Sequence, residues 1–208
     1  AGATAPEPST AVIQAALDRK GFGVGLIDGK TGYKTRTALS DFCIASGTSE
    51  ADAPPALAGT EQSPAFKSYT ILTQDLEHVG TAPADWIEAS RAPRMACESL
   101  LEVLSEKFHA SETFIGALNP GVSSWDAVMA GQPVKAPRTS PQAQLPDADR
   151  IVIDCSQFRL RAYGPENRLI ASFPCSTAAN LTKIPPGALF LTSFAANPTY
   201  VFDPRNSP

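Results

Sequence analysis

Leu17-Asp-Arg-Lys-Gly21-Phe22-Gly-Val-Gly25-Leu-Ile-Asp28-Gly29-Lys-Thr-Gly32-Tyr33-Lys34-Thr35-Arg36-Thr-Ala38-Leu39-Ser-Asp-Phe42 is the stretch whose reading decides the fold. Before it, Ser9 and Thr10 are good N-cap residues, and Val12, Ile13, Ala16 and Leu17 recur at helical spacing up to Gly21. After the glycines, Thr35, Ala38, Leu39, Phe42 and Cys43 return to the 3.6 period. The pattern predicts helix, glycine loop, helix, with Leu17, Phe22, Ala38, Leu39 and Phe42 in the core. Gly25 to Thr31 invites comparison with a phosphate cradle, but the glycines are one residue too close and the loop follows a helix, not a strand. Asp28 would also repel phosphate, so a tight glycine turn between packed helices is the better reading.

Eleven spaced positions, Leu17, Gly21, Phe22, Gly25, Asp28, Gly29, Gly32, Thr35, Ala38, Leu39 and Phe42, together resemble the small helical peptidoglycan-binding domain found at the ends of cell-wall enzymes. The resemblance implies a three-helix module whose loop and second helix face glycan or stem peptide. It makes Asp28, Tyr33, Lys34 and Arg36 the candidate binding residues. Solvated charge at a helix start is the alternative for each of them.

Outward from this unit, proline, glycine and small polar residues gather at Ala51–Pro64 and Pro137–Pro146, which read as linkers. The expected organisation is a helical unit at 8–47, a linker at 48–67, a second unit at 68–138, a linker at 139–148 and a third unit at 149–208. In the second unit Tyr69-Thr70-Ile71 reads as a short strand. Ser99 with Glu102 forms a capping box ahead of Leu100, Leu101, Leu104 and Phe108, and Ser111 caps a further helix carrying Phe114, Ile115 and Leu118. Gly131 to Pro137 then reads as a turn into an edge strand. This strand-helix-helix-strand order resembles a LysM-like module, with residues 72–96 as an insertion, and the resemblance implies glycan binding or a spacer role. His109 and Cys97, twelve positions apart without an orienting carboxylate in the sequence, read as structural, as does His78.

In the third unit, alternation on either side of a phase break at Ser156-Gln157, and again from Leu169 to Cys175, predicts two strands with a bulge joined by the turn at Gly164–Asn167. Counting outward from that turn brings Cys155 opposite Cys175, so either a disulfide or two small buried thiols fits. Ile151-Val-Ile-Asp154, Phe173-Pro-Cys-Ser-Thr177, Ile184-Pro-Pro-Gly187, a strand at Ala188–Ser193 and Asn197-Pro-Thr-Tyr200 resemble, in this order, the start of an L,D-transpeptidase catalytic domain. Cys175 stands where that family usually has an aliphatic residue, and Ala178 where it usually has glycine. The family's nucleophile is a cysteine in a Ser-His-Gly-Cys segment partnered by an upstream histidine. Neither occurs here, so this chain inherits no catalytic residue. The resemblance therefore implies acyl transfer in a longer parent protein, and a few strands alone would leave an uncovered apolar face.

Composition bounds the class and the partners. An apolar fraction of 43% can fill a core, and a net charge of −4 without a run of Lys or Arg argues against nucleic acid as partner. No stretch approaches the roughly 20 apolar residues of a membrane span. The four cysteines form no Cys-x-x-Cys pair, which argues against a zinc site, and neither cofactor nor metal is expected. The small, polar start suits a mature end left by signal-peptide cleavage, hence a periplasmic or cell-envelope location. The expected fold class is multi-domain α+β: a helical peptidoglycan-binding domain, a βααβ LysM-like module and part of a mainly-β L,D-transpeptidase domain, with peptidoglycan glycan strands and stem peptides as partners. A non-catalytic wall-binding or regulatory protein is the rival.

Overall fold

The first helix, α1 (Thr10–Arg19), buries Ala11, Ala15, Ala16 and Leu17 and ends where its apolar stripe ends. Gly21, at φ +83°, closes it: its N–H bonds to Asp18 O and the Phe22 N–H to Leu17 O, the paired bonds of a Schellman cap. This computed structural model describes residues 9–59, 64–81, 83, 85–92, 95–139, 144–178, 180, 182, 184 and 187–190. Beyond the glycine loop, α2 (Tyr33–Ser46) ends on Gly47 in the left-handed region. A third helix, α3 (Ala53–Gly59), packs on α1 through buried Ala53 and Leu57. It lies inside the stretch read as a linker. Pro54 and Pro55 fall in its first turn, where a missing N–H costs nothing, so the residues that suggested a linker begin a helix instead.

The middle unit opens with β1 (Phe66–Thr70), which pairs antiparallel with β2 (Pro133–Pro137). Between them lie α4 (Thr73–Glu77), α5 (Trp86–Arg91), α6 (Leu100–Lys107) and α7 (Glu112–Leu118). Ser99 caps α6 as expected, accepting the Glu102 N–H, but the Glu102 carboxylate takes the Glu98 N–H. Ser111 caps α7 through the Phe114 N–H. Ile71, Leu100, Leu104, Phe108, Ile115 and Val134 are buried together. The segment at 72–96 contains α4 and α5 and returns to the unit through a parallel bridge between Val79 and Cys97.

The last unit is a three-stranded antiparallel meander, β3 (Arg150–Asp154), β4 (Arg159–Tyr163) and β5 (Leu169–Pro174), in that order. The phase break at Ser156-Gln157 is thus a chain reversal, not a bulge. Asp154 makes it one by accepting the N–H groups of Ser156 and Gln157 at 3.0 and 3.1 Å. The register irregularity lies instead at Ala162/Tyr163. This also corrects the disulfide expectation: β4 runs between the strands that precede Cys155 and Cys175, and both are free thiols. Of the strand expected at Ala188–Ser193, residues 188–190 are not in a strand, and the rest lies outside the described residues, as does Asn197–Tyr200.

Register places Ile151, Ile153, Leu160 and Phe173 on one sheet face, with Arg159, Arg161 and Ser172 on the other. The polar face meets α2; Ile151, Ile153 and Phe173 are exposed. The fold is mixed α+β, and no helix among the described residues is long and apolar enough to cross a membrane.

The three units meet on the glycine loop. Phe22 forms a parallel bridge with Ser172 of β5, and Ile27 forms another with Ala110 between α6 and α7. The loop thereby extends the sheet on one side and ties the middle unit on the other.

Candidate functional site

Gln14, 1% exposed on α1, is what gives the glycine loop its shape. Its carbonyl accepts the N–H groups of Asp28 and Gly29 at 3.1 and 2.8 Å, while its amide donates to Asp28 Oδ1, Lys30 O and Thr35 Oγ1. Asp28 also accepts the Lys30 N–H at 2.9 Å. Burial alone would raise the Asp28 carboxyl, but these bonds and the Lys30 charge outweigh it and hold it below the usual carboxylate value. Asp28, a binding candidate from sequence, is therefore committed to the loop itself.

The other three candidates are exposed at the start of α2. Arg36 donates to Thr31 O at 3.2 Å, on the loop it follows. Tyr33 and Lys34 line a cleft of about 310 Å³. Lys34 crosses Gly25, where an added Cβ would lie 3.1 Å from its Cδ, so the bare backbone of Gly25 makes room for the lysine stem. The opposite wall comes from the third unit: Phe158 in the β3–β4 turn, and Pro174, Cys175 and Thr177 at the end of β5. Local pattern carried no sign of this wall, because it is formed by residues more than a hundred positions away from α2.

Arg159, also bordering the cleft, is 2% exposed. Its Nε meets Asp41 Oδ2 at 3.1 Å, Nη1 donates to Gly23 O at 2.7 Å and Nη2 to Ser172 Oγ at 2.6 Å. Arg161 takes the second oxygen of Asp41 at 2.8 Å. Burial lowers the Arg159 guanidinium from the usual arginine value, and Asp41 opposes that fall. Sequence offered one hint of this joint: Asp41 interrupts the apolar run of α2 at a buried position.

Two further clusters lie in the middle unit. Buried Asp75 accepts from the Tyr69 hydroxyl and Lys107 Nζ, each at 2.6 Å, and from the Leu72 N–H at 2.8 Å. Burial would raise this carboxyl, yet the three bonds prevail and its pKa is lowered. The ring of Tyr69 packs edge-on against Phe108 at 5.0 Å, with Lys107 over it at 4.7 Å, so the cluster braces β1 against α4 and α6. Among the described residues, Cys97, Glu102 and Glu106 are the group able to offer metal ligands, all within 4.8 Å. Glu102 is already bound to the Glu98 N–H, and burial, then Glu106 and Glu102, raises the Cys97 thiol, which keeps it protonated and a poor ligand.

His109 is engaged by Asp18 of α1, Nδ1 to Oδ2 at 2.9 Å, and Cys97 by Glu106 at 4.0 Å. Against known proteins, no family model matches the chain, and no curated protein matches it either.

Proposed function

We propose that this chain belongs to a peptidoglycan L,D-transpeptidase of the cell envelope and supplies its wall-binding part: a helical peptidoglycan-binding unit, a LysM-like unit and the opening strands of the catalytic domain. The supporting observation is that most glycine-loop motif positions have a physical task suited to their residue type, Gly32, at φ −90° with open space around it, being an exception. Gly21, Gly25 and Gly29 take positive φ, Leu17, Phe22 and Ala38 fill the core, and Asp28 folds the loop. That leaves Tyr33, Lys34 and Arg36 outward at one helix start, where wall polymer is reachable.

In the parent protein the chemistry would be acyl transfer. A cysteine thiolate attacks the carbonyl of the third stem-peptide residue, the terminal D-alanine leaves as the free amino acid, and the thioester passes its acyl group to an acceptor amine. The units described here would raise the local concentration of that substrate. The test is co-sedimentation of the purified chain with isolated sacculi, together with D-alanine release by the full-length protein from a disaccharide tetrapeptide. Binding with release is expected. Binding without release would turn the reading to a non-catalytic wall binder, and absence of binding would refute the wall assignment.

A further inference from the structure

We infer that the cleft between α2 and the ends of β4 and β5 is a binding site for a short peptide bearing a free terminal carboxylate; this deepens the wall-binding reading and rests on it for the identity of the peptide. Two aromatic rings stand at the cleft, Tyr33 on one wall and Phe158 on the other, 53% and 54% exposed. Phe158 holds this position at φ +50°, a left-handed conformation that is strained for a bulky residue. The Cys175 N–H donates to Phe158 O at 2.9 Å and keeps the turn against β5. A glycine would relieve the backbone there, yet a ring more than half exposed occupies the position. It is placed to meet something that enters the cleft.

Charge selects what enters. In a chain of net charge −4, no carboxylate among the described residues lines this cleft. Arg159 has its charge met by Asp41, so among the described lining residues Lys34 is the cation left at the rim. The positive end of α2 adds to it, since the N-cap is Gly32 and offers no side-chain acceptor. An anion with an apolar body fits: rings and Pro174 against side chains, Lys34 on the carboxylate, and the Thr37 and Thr177 hydroxyls for peptide amides. The volume, near the lower end of the roughly 300–1,000 Å³ usual for ligand pockets, suits two or three small residues and not an extended glycan.

The experiment is an amide-resolved NMR titration of the chain with three probes: a disaccharide tetrapeptide, the same molecule with a C-terminal carboxamide, and the disaccharide alone. Shifts at Tyr33, Lys34 and Phe158 are expected with the tetrapeptide, affinity about three- to tenfold weaker for the carboxamide, and no cleft shifts with the disaccharide. Lys34→Gln should bring the acid down to the carboxamide's affinity. Phe158→Gly should lose binding while folding at least as stably, which a purely structural ring would not do. Equal affinity for acid and amide, cleft shifts with disaccharide alone, or a silent cleft in protein that still sediments with sacculi would each overturn the site. Cleft shifts in protein that fails to sediment would instead uphold the site and reject the wall-anchoring role.

Discussion

The glycine loop docks twice, by the same device under opposite conditions. Toward the sheet, Phe22 makes one parallel bridge to Ser172, and the charged pair beside it, Asp41 with Arg159, is 3% and 2% exposed. Toward the middle unit, Ile27 makes one parallel bridge to Ala110, but its charged pair, Asp18 with His109, leaves the histidine 54% exposed. A pair sealed from water is held by the penalty for breaking it, whereas a pair in water contributes little and responds to pH and salt. The sheet joint is therefore built to be permanent and the other to be adjustable.

The largest effect should come from breaking the sealed pair. Asp41→Ala removes the carboxylate from between Arg159 and Arg161 and strands a buried guanidinium, at a cost of about 3–5 kcal/mol in urea unfolding. Asp41→Leu combined with Arg159→Met should recover part of that loss, because no buried charge is stranded, but not all of it, because Gly23 O and Ser172 Oγ lose their donor and Arg161 loses Asp41. A single-variant loss below about 1 kcal/mol would mean that the sheet joint is no stronger than its exposed counterpart.

Next is the residue on which both joints depend. Gln14→Leu leaves the Asp28 and Gly29 N–H groups without their acceptor and should destabilise by about 1–3 kcal/mol. Hydrogen exchange sharpens the comparison: the Gly23 amide, bound to Ser172 O, and the Ile27 amide, bound to His109 O, should both lose protection. Loss at Ile27 alone would show that the sheet joint holds the loop without help from α1. Gly21→Ala should cost roughly 1–2 kcal/mol, since φ +83° disfavours any Cβ and the new methyl would meet Leu145 at 3.0 Å, with loss of protection confined to the sheet side.

How much of this was legible depends on how local it is. Helices α1, α2, α6 and α7 follow from apolar spacing and from Ser99, Ser111 and Gly21 at their ends, signals confined to one turn of chain. α3 was not legible because Pro54 and Pro55 punctuate a linker and begin a helix equally well. β3 and β4 merged into one bulged strand because alternation does not distinguish a bulge from a reversal; Asp154, which caps the turn, was the signal available. Of the proposed cleft, Tyr33 and Lys34 were named through the resemblance that the glycine-loop motif carries. Phe158 and Cys175 were not, since they reach the cleft only after β5 has docked on the loop.

The smallest effect is the one that tests the adjustable joint. The hydrogen bond that His109 donates to the Asp18 carboxylate raises the histidine's pKa above its ordinary value, with burial pulling the other way and the Asp18 charge adding to the rise. A group raised on folding gives its full stabilisation below the unfolded pKa of about 6.5 and loses it as pH climbs through the higher folded value. Exchange protection of the Ile27 amide, which donates to His109 O, and of the Ser111 amide, which donates to Ile27 O, should therefore fall over that window, by less than about 1 kcal/mol in opening free energy. Gly23 and Ser172, on the sealed side, should show no matching step, and His109→Gln should remove the step at Ile27. Global unfolding would blur this, because the depressed Asp75 carboxyl supplies a change of opposite sign at acid pH: its contribution is present above the unfolded carboxylate pKa and is lost as pH falls through the folded one. If Ile27 and Gly23 instead lost protection together as pH rose, the two joints would open as one unit, and the distinction between a permanent and an adjustable side of the loop would fall.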